Sequence, residues 1–280
     1  MTSVRCPVVE LRQYTLHPGR RDQLIGLFER ELIEPQEAAG MTLVGQFRDV
    51  DDPDRFVWLR GFPDMQTRAE ALGRFYYGPV WRKHAAAANA TMIDSDNVLL
   101  LRPVGMRSGF PAPAAPRPPA GHPASPPSLV TATLCYRDRP FDQAFTAFFT
   151  SQVAPVMSQT GATPLAWLHT EPAENTFPAL PVRTGENVFV WFSRLADSAG
   201  LSAHRDALAR YSHWRTTIRP AVLAMLTGER SNSPSAHAPL PPALNGVACQ
   251  EHGTTLKGFR HEHDAGKRQT VPAAGFAHHH

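Results

Sequence analysis

The side chains best equipped for chemistry lie on short, strand-like segments near the start of the chain. Glu10, Arg12 and Tyr14 alternate along VVELRQYTL (8–16), Gln46 and Arg48 along MTLVGQFRDV (41–50), and Trp58 and Arg60 along RFVWLRGF (55–62). Alternation with period two places each set on one face of its strand. A carboxylate, three guanidiniums, a phenol and an indole on one face could bind a polar small molecule. They could equally pair with one another across an interface. His84, in WRKH (81–84), adds a group that titrates near neutrality. It could serve as a general base or as a metal or haem ligand. It has no partner at ligand spacing, so a structural role competes. The candidate catalytic groups are therefore Tyr14, Arg12 and His84. The candidate ligand contacts are Glu10, Arg12, Tyr14, Arg48, Trp58 and Arg60. No cofactor and no metal site is read from the chain.

The elements that would position these residues occur twice. FVWLRGF (56–62) has a near copy, FVWFSRL (189–195), and in each copy a second Trp follows after 23 residues, Trp81 after Trp58 and Trp214 after Trp191. Residues 19–40 place Leu24, Leu27, Phe28 and Leu32 at helical spacing, with Gly40 as a stop. DDPD (51–54) is a turn, residues 64–92 read as helix with a break at Gly78-Pro79, and NVLLLRP (97–103) reads as a strand. The order is β-α-β-β-α-β. Residues 129–226 repeat it, down to the proline in the first helix (IEP at 33–35, VAP at 153–155). The fourth strand of the second copy reads as missing or weak, because RSNSPSAHAPLPP (230–242) is poor strand material.

The predicted fold class is α+β: two tandem ferredoxin-like (βαββαβ) domains, each an antiparallel sheet with both helices on one face. Alternation predicts Val9, Leu11, Leu43, Phe47, Val57 and Leu59 beneath the helices, with the polar set on the bare opposite face. Another such sheet should cover that face, from the other copy or from another chain. At the positions of Glu10, Arg12 and Tyr14 the second copy carries Thr131, Thr133 and Cys135, so the first copy reads as the ligand site and the second as the part that closes the barrel.

Residues 103–127 hold nine of the 27 prolines and read as a linker. The expected domains are 1–104 and 128–244, joined by a Pro-rich linker at 105–127 and followed by a disordered tail at 245–280. The tail contains Cys249, His252, His261 and His263, a spacing that fits no common zinc module. Hydrophobic residues make up 42% of the 280 residues and charged residues 19%, enough for a packed core. A net charge of +3 with scattered arginines argues against nucleic acid as a partner. Three widely spaced cysteines argue against a disulfide framework. No run approaches a membrane span, and no signal peptide is evident, so a cytoplasmic protein is expected. P-loop, GxGxxG, HExxH and GxSxG motifs do not occur.

GPVWRKHAAAANATMIDSDNVLLLRPV (78–104), together with VVELRQYTLHPG (8–19), resembles the NIPSNAP family of the dimeric α/β-barrel superfamily. ENVFVWFSRLADSAGLSAHRDAL (186–208) resembles the degenerate second domain of two-domain bacterial members. The resemblance implies a homo-oligomer or an intrachain pseudo-dimer. NIPSNAP proteins are linked to vesicle transport and mitochondrial quality control without a shared enzymatic mechanism. The superfamily includes haem-degrading and quinone-forming monooxygenases, chlorite dismutases and muconolactone isomerases. The expected function is a small-molecule-binding or accessory barrel protein. The alternative is a cofactor-free monooxygenase or isomerase acting on a small aromatic or polyketide-like substrate.

Overall fold

The computed structural model describes residues 6–112, 128–227 and 254–258. The first unit runs β1 (Val8–Leu16), α1 (Arg21–Leu27), α2 (Ile33–Ala38), β2 (Thr42–Asp49), β3 (Arg55–Phe62), α3 (Met65–Tyr76), α4 (Pro79–Asn89), β4 (Met92–Asp94) and β5 (Val98–Pro103). The second runs β6 (Ser128–Arg137), α5 (Gln143–Phe148), α6 (Ala154–Gln159), β7 (Pro164–Thr170), β8 (Asn187–Leu195), α7 (Ser198–Arg210), α8 (Arg219–Thr227) and β9 (Thr254–Gly258). In the first unit the strand order is β2-β3-β1-β5, and in the second it is β9-β6-β8-β7. Both are ferredoxin-like sheets with antiparallel pairing.

Local chemistry fixes the helix ends at equivalent places. Asp64 starts α3 by accepting the Thr67 N–H at 2.6 Å, and Asp197 starts α7 by accepting the Gly200 N–H at 2.8 Å. Gly40 (φ 102°) and Gly161 (φ 96°) end the first helical stretch of each unit in a conformation that disfavours side chains. Among the described residues three π turns interrupt the helices: Phe28–Leu32, Phe149–Val153 and Trp214–Ile218. Pro35, Pro155 and Pro220 follow them within three residues. A proline ring collides with the carbonyl four residues back, and the wider π turn gives that carbonyl room.

The two sheets join along both edges, with β2 pairing with β9 and β5 with β7. The pairings close a ring of eight strands, β1-β3-β2-β9-β6-β8-β7-β5. The barrel is therefore complete within one chain, as the pseudo-dimer reading anticipates. Its fourth strand in the second unit is β9, inside the stretch expected to be a disordered tail. A short strand far from its unit in sequence, in polar surroundings, gives little periodic signal. Cys249, His252, His261, His263 and the three closing histidines lie outside the described residues.

The barrel interior overturns the predicted assignment of faces. Val9, Leu11, Val57 and Leu59 do not sit under the helices; they meet Leu168 and Val190 of the second sheet inside the barrel. Glu10, Arg12, Tyr14, Trp58 and Arg60 point the other way, toward the helices. Leu43 alone of the apolar set stays on the helix side beside Phe47 on the barrel side, because a bulge between Leu43 and Gly45 shifts the alternation. The start of the expected linker is also packed. Phe110 stacks against Phe192 at 5.0 Å, and the Trp167 N–H donates to the Ser108 carbonyl at 2.8 Å. No helix among the described residues is long and apolar enough to cross a membrane.

Since both sheets share this core, Leu59→Ala and Leu168→Ala should each cost about 2–5 kcal/mol. Denaturant unfolding should still show one transition for the whole chain. Separate melting of the two units would contradict a common barrel core.

Candidate functional site

Each unit has a space between its sheet and its helices, and the two spaces are built at matching positions. Glu10 faces Arg60 across β1 and β3, and Arg12 faces Trp58. In the same register of β6 and β8, Thr131 faces Ser193 and Thr133 faces Trp191. Arg68 stands four residues beyond the capping Asp64, and Leu201 stands four beyond the capping Asp197. Glu10, Arg12, Arg60 and Arg68 thus correspond to Thr131, Thr133, Ser193 and Leu201.

In the first unit these long side chains fill the space. Glu10, Arg12, Arg60 and Arg68 are each at most 1% exposed. Glu10 Oε2 accepts from Arg12 Nη1 and Arg60 Nε, each at 2.7 Å, and Oε1 accepts from Arg68 Nε at 2.7 Å. Arg60 Nη2 also lies 2.7 Å from Oε2, off the direction of its N–H bonds, so it adds charge contact without a hydrogen bond. Arg12 Nε donates to the Tyr14 hydroxyl at 2.8 Å, and Arg60 Nη1 to Gln36 Oε1 at 3.2 Å and the Tyr76 hydroxyl at 3.3 Å. Three guanidiniums face one carboxylate, so aromatic faces help to offset the excess charge. Arg12 Cζ lies 5.6 Å and Arg60 Cζ 5.1 Å from the Trp58 ring centroid.

A loop of the second unit seals this cluster. Asn175 Oδ1 and Thr176 Oγ1 accept from Arg68 Nη1 at 2.9 and 3.3 Å, and Phe177 packs on Tyr76 and Tyr77. Burial alone would raise the Glu10 pKa, but Arg60, Arg12 and Arg68 together outweigh it and hold the carboxyl far below its ordinary range. Burial raises the Tyr14 hydroxyl, which stays protonated at neutral pH. The cavity left beside Tyr14, Trp58 and Trp81 is only about 30 Å³.

Two predicted site residues lie elsewhere. Arg48 pairs with Asp22 at 2.8 Å at the surface, and His84 Nε2 lies 3.4 Å from Glu31 Oε2. The structure therefore brings Glu10, Arg12, Tyr14, Trp58 and Arg60 together with Gln36, Arg68 and Tyr76, without Arg48 or His84. The cluster's bonds go mainly to its own members.

In the second unit the corresponding space is open. Short side chains at Thr131, Thr133 and Leu201 leave a cavity of about 460 Å³ between the sheet and the helices. Its volume falls within the range of small-molecule sites. Phe149, Trp191 and Trp214 give it an aromatic wall, and two of the three π turns contribute to its lining. π turns recur at functional sites. His204 Nδ1 faces the Thr160 carbonyl at 3.2 Å, so Nδ1 carries the proton and Nε2 is left as an acceptor. Burial lowers the His204 pKa, and nearby Arg205 opposes its protonation further. The second unit therefore closes the barrel and also holds the larger cavity, contrary to the expectation that favours the first. The replacement of Glu10 and Arg12 by two threonines, beside a retained Trp, was the sequence signal for it.

Glu10→Gln should destabilise the protein by about 3–5 kcal/mol, because three buried guanidiniums lose their counter-ion. The pH dependence has a definite sign. A depressed folded-state pKa contributes stability above the unfolded value near about 4.3, lost as pH falls through the folded value. Wild-type stability should decline below about pH 4.3, and a pH series of denaturant melts should show this component missing in Glu10→Gln.

A NIPSNAP-family protein of unknown function from Agrobacterium tumefaciens str. C58 is 25% identical, covering 34% of this chain and 86% of its own, with a TM-score of 0.33. An uncharacterised NIPSNAP-like domain protein from Burkholderia xenovorans is 24% identical, covering 40% and 90%, with a TM-score of 0.32. A provisionally assigned monooxygenase from Fusobacterium nucleatum is 10% identical, covering 79% and 87%, with a TM-score of 0.48. No curated protein matches the chain. The NIPSNAP family model matches residues 9–106, the stretch that holds the first unit.

Proposed function

We propose that this protein is a small-molecule-binding barrel of the NIPSNAP type, with its ligand held between the sheet and the helices of the second unit. The observation that carries the reading is the 460 Å³ cavity at the position where the first unit is filled by Glu10, Arg12, Arg60 and Arg68. A chain that keeps the aromatic wall and removes the filling has made room for something else. The first unit then acts as a rigid support. Its buried cluster ties β1, β3 and α3 together, and the loop bearing Asn175 clasps it to the second unit. The widely spaced cysteines support a cytoplasmic setting. Because the barrel closes within one chain, ligand binding at this site needs no second copy.

The test is to refill the cavity. Thr133→Phe places a ring where the first unit carries Arg12. Wild type should bind small apolar compounds with a change in Trp fluorescence and a raised melting temperature. Thr133→Phe should retain the cooperative melt and bind at least about tenfold more weakly, a loss of about 1.4 kcal/mol. Equal binding by both proteins would place the ligand elsewhere.

A further inference from the structure

The lining of the second-unit cavity is uneven in a way that specifies its ligand. Its depth is apolar, formed by Phe149, Trp191, Trp214 and Val222. The charged residues in its lining are Arg205, Arg215 and Arg219, and all three are exposed. No aspartate or glutamate is among the described residues that line it. No ion pair joins Arg205 or Arg215 to an acid among the described residues. His204, also in the lining, is neutral at physiological pH and offers an acceptor at Nε2 rather than a charge.

Resting on the pocket reading above, we propose that the ligand is an amphipathic anion: an apolar body seated against the aromatic wall, with one carboxylate or phosphate held at the arginine-bearing rim. The physical argument is one of opposites. An apolar tail gains free energy by withdrawing its surface from water. A cationic head at the rim would meet like charge from Arg205 and Arg215. An anionic head meets guanidiniums that form charge-assisted hydrogen bonds and remains partly hydrated, so it escapes the full cost of burial. Thr131 and Thr133 are neutral hydroxyl groups, suited to a polar atom along the body and unable to hold the charge themselves.

Three probes of equal length separate the parts of this account: decanoate, decanol and decylamine, each titrated against the full chain by Trp fluorescence and thermal shift. Decanoate should bind at least tenfold tighter than decanol, and decylamine should bind most weakly. The decanoate advantage should shrink as salt is raised. Arg205→Gln and Arg215→Gln should each weaken decanoate binding and leave decanol binding unchanged. Decyl phosphate in the same series distinguishes the two anionic heads. Equal affinity for decanoate and decanol would overturn the anion assignment while leaving the pocket in place. Failure of all the probes to bind would overturn the pocket reading as well.

Discussion

One carboxylate, withdrawn from water with three guanidiniums around it, settles what each face of the first sheet can do. Glu10 has no solvent contact, so its charge must be matched inside the protein. Arg12 and Arg60 on the sheet and Arg68 on α3 supply that match, and this requires the helices to lie over the polar face. The opposite face is then left apolar at its centre, where Val9, Leu11, Val57 and Leu59 lie. An apolar sheet face in water is unstable, and the second unit supplies the cover. The closed barrel is the consequence of where the charges went.

The same cluster explains why tandem units of one fold differ in what they can hold. The shared frame is retained in the second unit: the register of its strands, its capping aspartate, its positive-φ glycine and its paired tryptophans. The filling is not. Without long charged side chains the second unit has a cavity of about 460 Å³, and with them the first unit keeps only about 30 Å³ in a cross-linked interior. A buried ion network gives little net stability over a hydrophobic filling but penalises any rearrangement that breaks it. It suits a supporting unit. An open, aromatic-walled cavity with a cationic rim suits a binding unit.

Much of the architecture was legible in the sequence because it was said twice. Repeated strands, equal Trp spacings and matching prolines fixed two βαββαβ units, and Gly40 and the Gly78-Pro79 break fell where expected. The direction of the sheet faces was not legible. Alternation tells which residues share a face, not which face meets the helices, and in a barrel both faces are buried. Alternation alone puts the polar residues on the face away from the helices, to be covered by another sheet, whereas Glu10 and Arg60 lie buried under the helices. β9 was hidden by its distance from β8 and its polar surroundings. His84 and Arg48 have chemically suggestive types, but they stand on α4 and at the outer end of β2, away from the cluster.

The central claim is the asymmetry between a filled space and an open one at equivalent positions. Diffraction from crystals pressurised with xenon reads it directly, because xenon enters apolar cavities that are large enough and dry enough to take it. The account predicts xenon between the sheet and the helices of the second unit, against Trp191, and none beside Glu10 in the first. Xenon in both units alike, or in neither, would contradict it.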